Sequence, residues 1–213
     1  LQALSPLPDP GQMLDALGTR FFVRETAIKP YPVGYPIQPA LDAFFELHRQ
    51  HGLTVEKVSR ITVCLPEDGA GIVNDRSMPD VNCQHMLSLA LLDGAVTFES
   101  AHSHNRMSDP AVLAVKELVN LVADPALMDP EAPRSAKVEV VLKDGRTVSH
   151  FTPHAYGTKQ NPMETDSVNA KARVLMEPVL GPSRTEEVIQ RVNGLEDVAN
   201  VLELMPFLTG DSQ

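Results

Sequence analysis

Lys137-Val138-Glu139-Val140-Val141-Leu142-Lys143-Asp144-Gly145-Arg146-Thr147-Val148-Ser149-His150-Phe151 alternates apolar and polar side chains up to a turn and resumes after it. Val138, Val140 and Leu142 share one face at the period of a strand. Asp144-Gly145 is a favoured two-residue hairpin turn. The pattern predicts antiparallel strands over 137–142 and 146–151. Upstream, Ile61, Val63 and Leu65 alternate and predict a half-buried strand over 58–65. A shorter strand is expected over 21–26.

The segments between these strands read as helices. Ile37, Leu41, Phe44, Phe45 and His48 fall on one helical face, which Gly52 ends. A very apolar helix is expected over 81–92, stopped by Asp93-Gly94. A short helix and loop follow over 97–107, and Asp109-Pro110 opens a helix running to about 118. Asp9-Pro10 reads as the cap and first residue of a short helix to 17. Beyond Gly157 the pattern is helical to 208, broken at Gly181-Pro182 and near Gly194. Parallel strand–helix alternation is not sustained, and a hairpin closes the sheet. The fold class is therefore α+β, a small antiparallel-rich sheet of about four strands covered by helices. Three segments are expected: an extended arm over 1–12, the α+β domain over 13–158 and a helical segment over 159–213. Val168, Leu175, Met176, Val179, Val188, Val192 and Leu195 give that segment an apolar face that demands burial.

Composition narrows the function. The chain has 213 residues, 43% hydrophobic and 22% charged, as in ordinary globular proteins. Its net charge of -10 argues against nucleic acid and acidic membrane surfaces as partners. Local cationic pockets for anionic substrates remain compatible with that charge. No apolar run approaches the ~18 residues of a membrane span, and no signal-peptide pattern opens the chain. The two cysteines, Cys64 and Cys83, read as free thiols in a reducing, cytoplasmic compartment. Leu1 rather than Met opens the sequence, which leads us to expect a piece of a longer protein.

The segment Ile28-Lys29-Pro30-Tyr31-Pro32-Val33-Gly34-Tyr35-Pro36-Ile37-Gln38 stands out chemically. Three prolines and one glycine surround a single lysine. Lys29, Tyr31 and Tyr35 each precede a proline and are pushed towards extended backbone. The loop is stiff and presents one cation and two phenols. Lys29 is either a solvated surface group or an ammonium that binds a carboxylate or moves a proton. Gln38 lies in the first turn of a helix, where free N–H groups favour anions, although Pro36 and Pro39 supply none. It reads as a pocket residue or as a capping amide. His85, near the start of the apolar helix, is either a buried core histidine or a neutral imidazole able to trade a proton. His102-Ser103-His104 could place two imidazoles on one strand face, but no third ligand accompanies them, and a metal is not expected. His48 and His51 end a helix, and His150 and His154 follow the hairpin at exposed positions. Nucleophile-elbow, phosphate-loop and dinucleotide-binding motifs are absent.

Five motifs occur in an order that resembles the MmgE/PrpD family. They are Lys29-Pro30-Tyr31-Pro32, Gln84-His85 leading to Ala90-Leu91-Leu92-Asp93-Gly94, Asp109-Pro110-Ala111-Val112, Lys143-Asp144-Gly145 and Asn161-Pro162-Met163. The family includes 2-methylcitrate dehydratases, cis-aconitate decarboxylases and iminodisuccinate epimerases. The resemblance implies the C-terminal portion of a two-part enzyme, its active site in a cleft between this α+β domain and an all-helical one. An N-terminal helical domain or separate helical chain is thus the expected partner, in a homodimer. The same resemblance implies catalysis without a metal or organic cofactor. Lys29 matches an active-site lysine of the decarboxylase branch. Gly34 stands where that branch has a histidine, His85 where it has a tyrosine, and Gln38 replaces a histidine of the wider family. These departures turn the expectation from decarboxylation to a 2-methylcitrate-type dehydratase, with a dicarboxylate epimerase or a non-catalytic subunit as alternatives. Lys29 would bind a carboxylate, His85 act as acid and base, and Tyr31, Gly34, Tyr35 and Gln38 line the substrate pocket.

Overall fold

The computed structural model describes residues 9–208; residues 1–8 of the expected arm lie outside the described residues. Asp9 does cap a turn, its carboxylate accepting from Gly11 N at 2.9 Å. The helix expected beyond it is only a 3-10 turn, Pro10–Met13, and Ala16 breaks continuation with a φ of 52°.

The sheet has four strands: β1 (Val58–Leu65), β2 (Val119–Ala123), β3 (Ala136–Leu142) and β4 (Thr147–Thr152). Their order across the sheet is β2-β1-β3-β4. β1 pairs in parallel with β2 and antiparallel with β3, and β3 with β4 is the predicted hairpin. The class is α+β. Ile61 sits opposite Val140 and Val63 opposite Val138, so both alternating faces meet in register. These side chains are fully buried, and each stabilises the fold by about 1.5–3 kcal/mol relative to exposure.

Two strand expectations need correction. Residues 21–26 do not join the sheet. Phe22–Glu25 forms an exposed 3-10 turn spanned by an Arg20–Glu25 ion pair at 3.0 Å. A lone strand has no ladder to satisfy its backbone, and Phe21, Phe22 and Val23 stay more than half exposed, with only the Arg20 guanidinium lying over the Phe22 ring at 4.3 Å. The fourth strand is instead β2, five residues that directly follow a helix. The turn also differs from the two-residue form. Gly145 takes φ +90° while Asp144 does not turn positive, and Gly145 N bonds to Leu142 O at 3.0 Å. That is a longer loop with a left-handed glycine at its end.

Helices cover one side of the sheet. α1 (Gln38–His51) packs on β3 and β4, and its left-handed cap is Gly52. α2 (Glu67–Val73) follows β1. α3 (Cys83–Asp93) is capped by Asn82, whose side chain accepts from His85 N at 2.9 Å. Cys83 through Leu91 are all buried, as expected of a helix apolar on every face. Burial pushes the Cys83 thiol up to about 12, so it is an inert core group. α4 (Phe98–His102), α5 (His104–Met107) and α6 (Pro110–Lys116) return the chain to β2. His102 and His104 thus lie on two short helices rather than a strand, with Ser103 capping α5.

The last part is helical. α7 (Thr165–Leu180) and α8 (Pro182–Asn193) pack against each other, joined by an Arg173–Glu186 ion pair. α9 (Met205–Leu208) follows two 3-10 turns. Val188 and Ile189 are buried, but Val174, Val179 and Val192 are at least half exposed. No described helix is long and apolar enough to cross a membrane.

Candidate functional site

The proline loop is held from beneath by Gln38. Its amide donates to Tyr31 O at 2.9 Å and Val33 O at 3.1 Å, and its oxygen accepts from Tyr31 N at 3.3 Å. The side chain is fully buried. Proline removes loop donors, and Gln38 supplies what the missing N–H groups cannot. Lys29 Nζ donates to the same Val33 carbonyl at 2.9 Å, which fixes the ammonium against its own loop. At the loop's start, Ile28 N donates to Gly157 O at 2.9 Å. Gly157 has φ +89°, and a Cβ there would come within 1.9 Å of Ile28 O. Only glycine allows this approach.

Tyr31 stacks on Phe45 with ring centroids 5.6 Å apart. Burial, then the neighbouring Asp42 carboxylate, push the Tyr31 phenol up, so it stays protonated and donates to Asp42. Burial likewise raises Asp42, against the opposing pull of the Tyr156 N–H and the Tyr31 hydroxyl. Tyr156 N reaches Asp42 at 2.7 Å, and Tyr156 OH donates to Ser167 Oγ at 3.1 Å. This chain of contacts ties the loop, α1 and α7 together.

Above the loop lies a mainly apolar cavity of about 610 Å³. Its walls are the Lys29–Pro32 segment, Phe45, the turn from Gly94 to Phe98, and Lys171, Val174 and Leu175 of α7. Its volume suits a small metabolite. Lys29 and Lys171 are the charged residues among its walls. Burial, then the charge of Lys29, lower the pKa of Lys171, so the two ammoniums are within electrostatic reach. A second cleft, of about 600 Å³, lies across the Tyr31–Phe45 wall and carries Asp42 and Glu46. Arg49, His150 and His154 share its lining, with Arg49 paired to Glu46 at 2.6 Å, so its charge is mixed where that of the first cavity is purely cationic.

The expected site residues therefore divide. Lys29 and Tyr31 share the apolar cavity. Gln38 sits under the loop with its amide engaged. Gly34 donates to Asp80 O at 2.8 Å behind it. Tyr35 lines a smaller cavity with Glu25, Arg134 and His154. His85 is 1% exposed and is not among the walls of the 610 Å³ cavity. Burial, then Lys116 and Arg106, lower its pKa to about 4, so it is neutral. Its Nε2 has no hydrogen-bond partner among the described residues. No described group of three or more His, Cys, Asp or Glu is arranged to hold a metal. Sequence reasoning missed Lys171, although a signal existed. Val168, Lys171 and Leu175 fall at i, i+3 and i+7, a lysine inside an apolar helical stripe.

A helix-covered mixed sheet with a cation-rimmed apolar cavity is a small-molecule scaffold. The chain belongs to the MmgE/PrpD family: the MmgE/PrpD C-terminal domain matches residues 31–196. Among curated proteins it is similar to the cis-aconitate decarboxylase of Mus musculus, 26% identical over 202 residues, covering 89% of this chain and 40% of that protein. The cis-aconitate decarboxylase of Homo sapiens is 27% identical over 129 residues, covering 61% of this chain and 27% of its own length. This chain thus spans less than half the length of the curated relatives it matches.

Proposed function

We propose that this chain carries the carboxylate-binding wall of a lyase acting on a small di- or tricarboxylic acid. The supporting observation is Lys29, an ammonium fixed by Val33 O at the wall of a 610 Å³ apolar cavity. A cation whose position is fixed before the substrate arrives offsets developing negative charge without having to reorganise. Breaking a bond next to a carboxylate puts such charge on the substrate, as an enolate-like species. Lys29 binds the carboxylate and balances that charge. Tyr31, kept protonated beside Asp42, forms the adjoining wall. The acid/base role expected of His85 is not part of the proposal, because its imidazole is buried away from this cavity.

The reaction we favour from the sequence is a 2-methylcitrate-type dehydration, in which a proton next to a carboxylate and a hydroxide leave. Decarboxylation is the second reading, favoured by the names of both relatives. Lys29 has the same task in either. The test uses the protein as its gene encodes it, incubated with 2-methylcitrate or cis-aconitate and followed by proton NMR. Loss of water and loss of carbon dioxide give distinct products. Lys29→Ala lowers kcat/KM by about a hundredfold or more. Normal turnover by that variant overturns the assignment.

A further inference from the structure

The cavity presents a second cation that the sequence did not single out. Lys171 lines it from α7, beside Val174 and Leu175. Its ammonium has no hydrogen-bond or ion-pair partner among the described residues. Lys29, by contrast, is anchored to Val33 O on the proline loop. A lysine in an apolar stripe facing another lysine is unfavourable on its own, since both like charge and desolvation oppose it. Surface lysines in this chain take other arrangements: Lys116 pairs with Asp75, and Lys57 donates to Gly52 O at 2.8 Å. What would relieve the pair is a ligand with two negative groups, one for each ammonium. A single carboxylate leaves one charge unmatched.

We propose that Lys171 is the second anion-binding residue of this cavity and, with Lys29, selects ligands carrying two carboxylates over those carrying one. The inference rests on the reading of the cavity as a carboxylate site, and adds the residue that sets its preference. Lys29 belongs to the stiff loop and Lys171 to the helical segment, so a dicarboxylate bridges the two parts of the chain. Lys171 is a binding residue here, with no proton transfer assigned to it.

The experiment measures dissociation constants of succinate and butyrate by calorimetry on the protein as its gene encodes it. These four-carbon acids differ by one carboxylate. The wild-type protein prefers succinate. Lys171→Met weakens succinate roughly ten- to hundredfold, the range of one lost charge-assisted hydrogen bond, and leaves butyrate nearly unchanged. Lys171→Arg keeps the charge and keeps the preference. Lys29→Met weakens both acids. Equal weakening of both acids by Lys171→Met, or no weakening of either, overturns the role of Lys171 while leaving the carboxylate site intact. Failure of the wild-type protein to bind either acid refutes the site itself, and this inference with it.

Discussion

The two walls of the cavity are built in opposite ways. The proline loop is determined from every side: Gln38 bonds its carbonyls, Gly157 receives its first N–H, and Asp42 holds Tyr31. α7 meets the body through Tyr156 and Ser167 and leaves Val174, at the cavity wall, and Val179 65% and 72% exposed. One wall has its geometry fixed by buried polar contacts. The other has an apolar surface without matching cover among the described residues. A cation on the first wall is preorganised, whereas one on the second depends on how its helix is held. Preorganised charge is what the proposed enolate-like intermediate would require.

The sharpest way to break this contrast is Gly157→Ala. The new Cβ collides with Ile28 O, and the left-handed φ is strained for any other residue. The expected loss is roughly 3 kcal/mol of stability, read by urea unfolding. A loss below about 1 kcal/mol would mean the loop adapts and is not rigid. Acid titration probes a buried group that is not among the cavity walls. The His85 pKa is lowered to about 4 in the folded chain, so between pH 6.5 and 4 the unfolded chain binds more protons. Stability is complete above 6.5 and falls as pH drops towards 4, by up to about 3 kcal/mol. His85→Leu flattens that limb; an unchanged limb assigns it to other groups.

Gln38→Ala leaves loop carbonyls and Tyr31 N without their buried partner. The expected cost is about 2 kcal/mol, with Lys29 no longer fixed and carboxylate binding weakened in parallel. Loss of stability without loss of binding would separate the loop's order from its function. A smaller effect comes from Lys171→Met in the unliganded protein. Because burial and the charge of Lys29 lower the folded pKa of Lys171, the folded chain holds its ammonium at a cost, and removing it raises the thermal midpoint slightly. Wild-type stability rises with pH through that lowered pKa up to the ordinary lysine range, and the variant lacks this rise.

Periodicity carried most of the fold. The hairpin, β1, α1, α3 and the helical tail all follow patterns of two or 3.6 written into their apolar residues. β2 was illegible because Val119-Asn120-Leu121-Val122-Ala123 is short and abuts a helix, and its evidence is a partner strand more than fifty residues earlier in the chain. The reverse error at 21–26 has the same cause, since apolar composition without a partner does not make a strand. In the site, Lys29 and Tyr31 were legible because proline restricts the backbone locally. Gln38 and His85 could be placed on helices, but which way each side chain is used depends on packing across the chain. Asp42, Tyr156 and Lys171 became visible only when distant segments met.

The most direct test is a crystal structure of the protein with cis-aconitate bound. The account predicts a carboxylate within hydrogen-bond distance of Lys29 Nζ, inside the cavity between the Gly94–Phe98 turn and α7. Ligand density elsewhere, with Lys29 still bonded only to Val33 O, would contradict it.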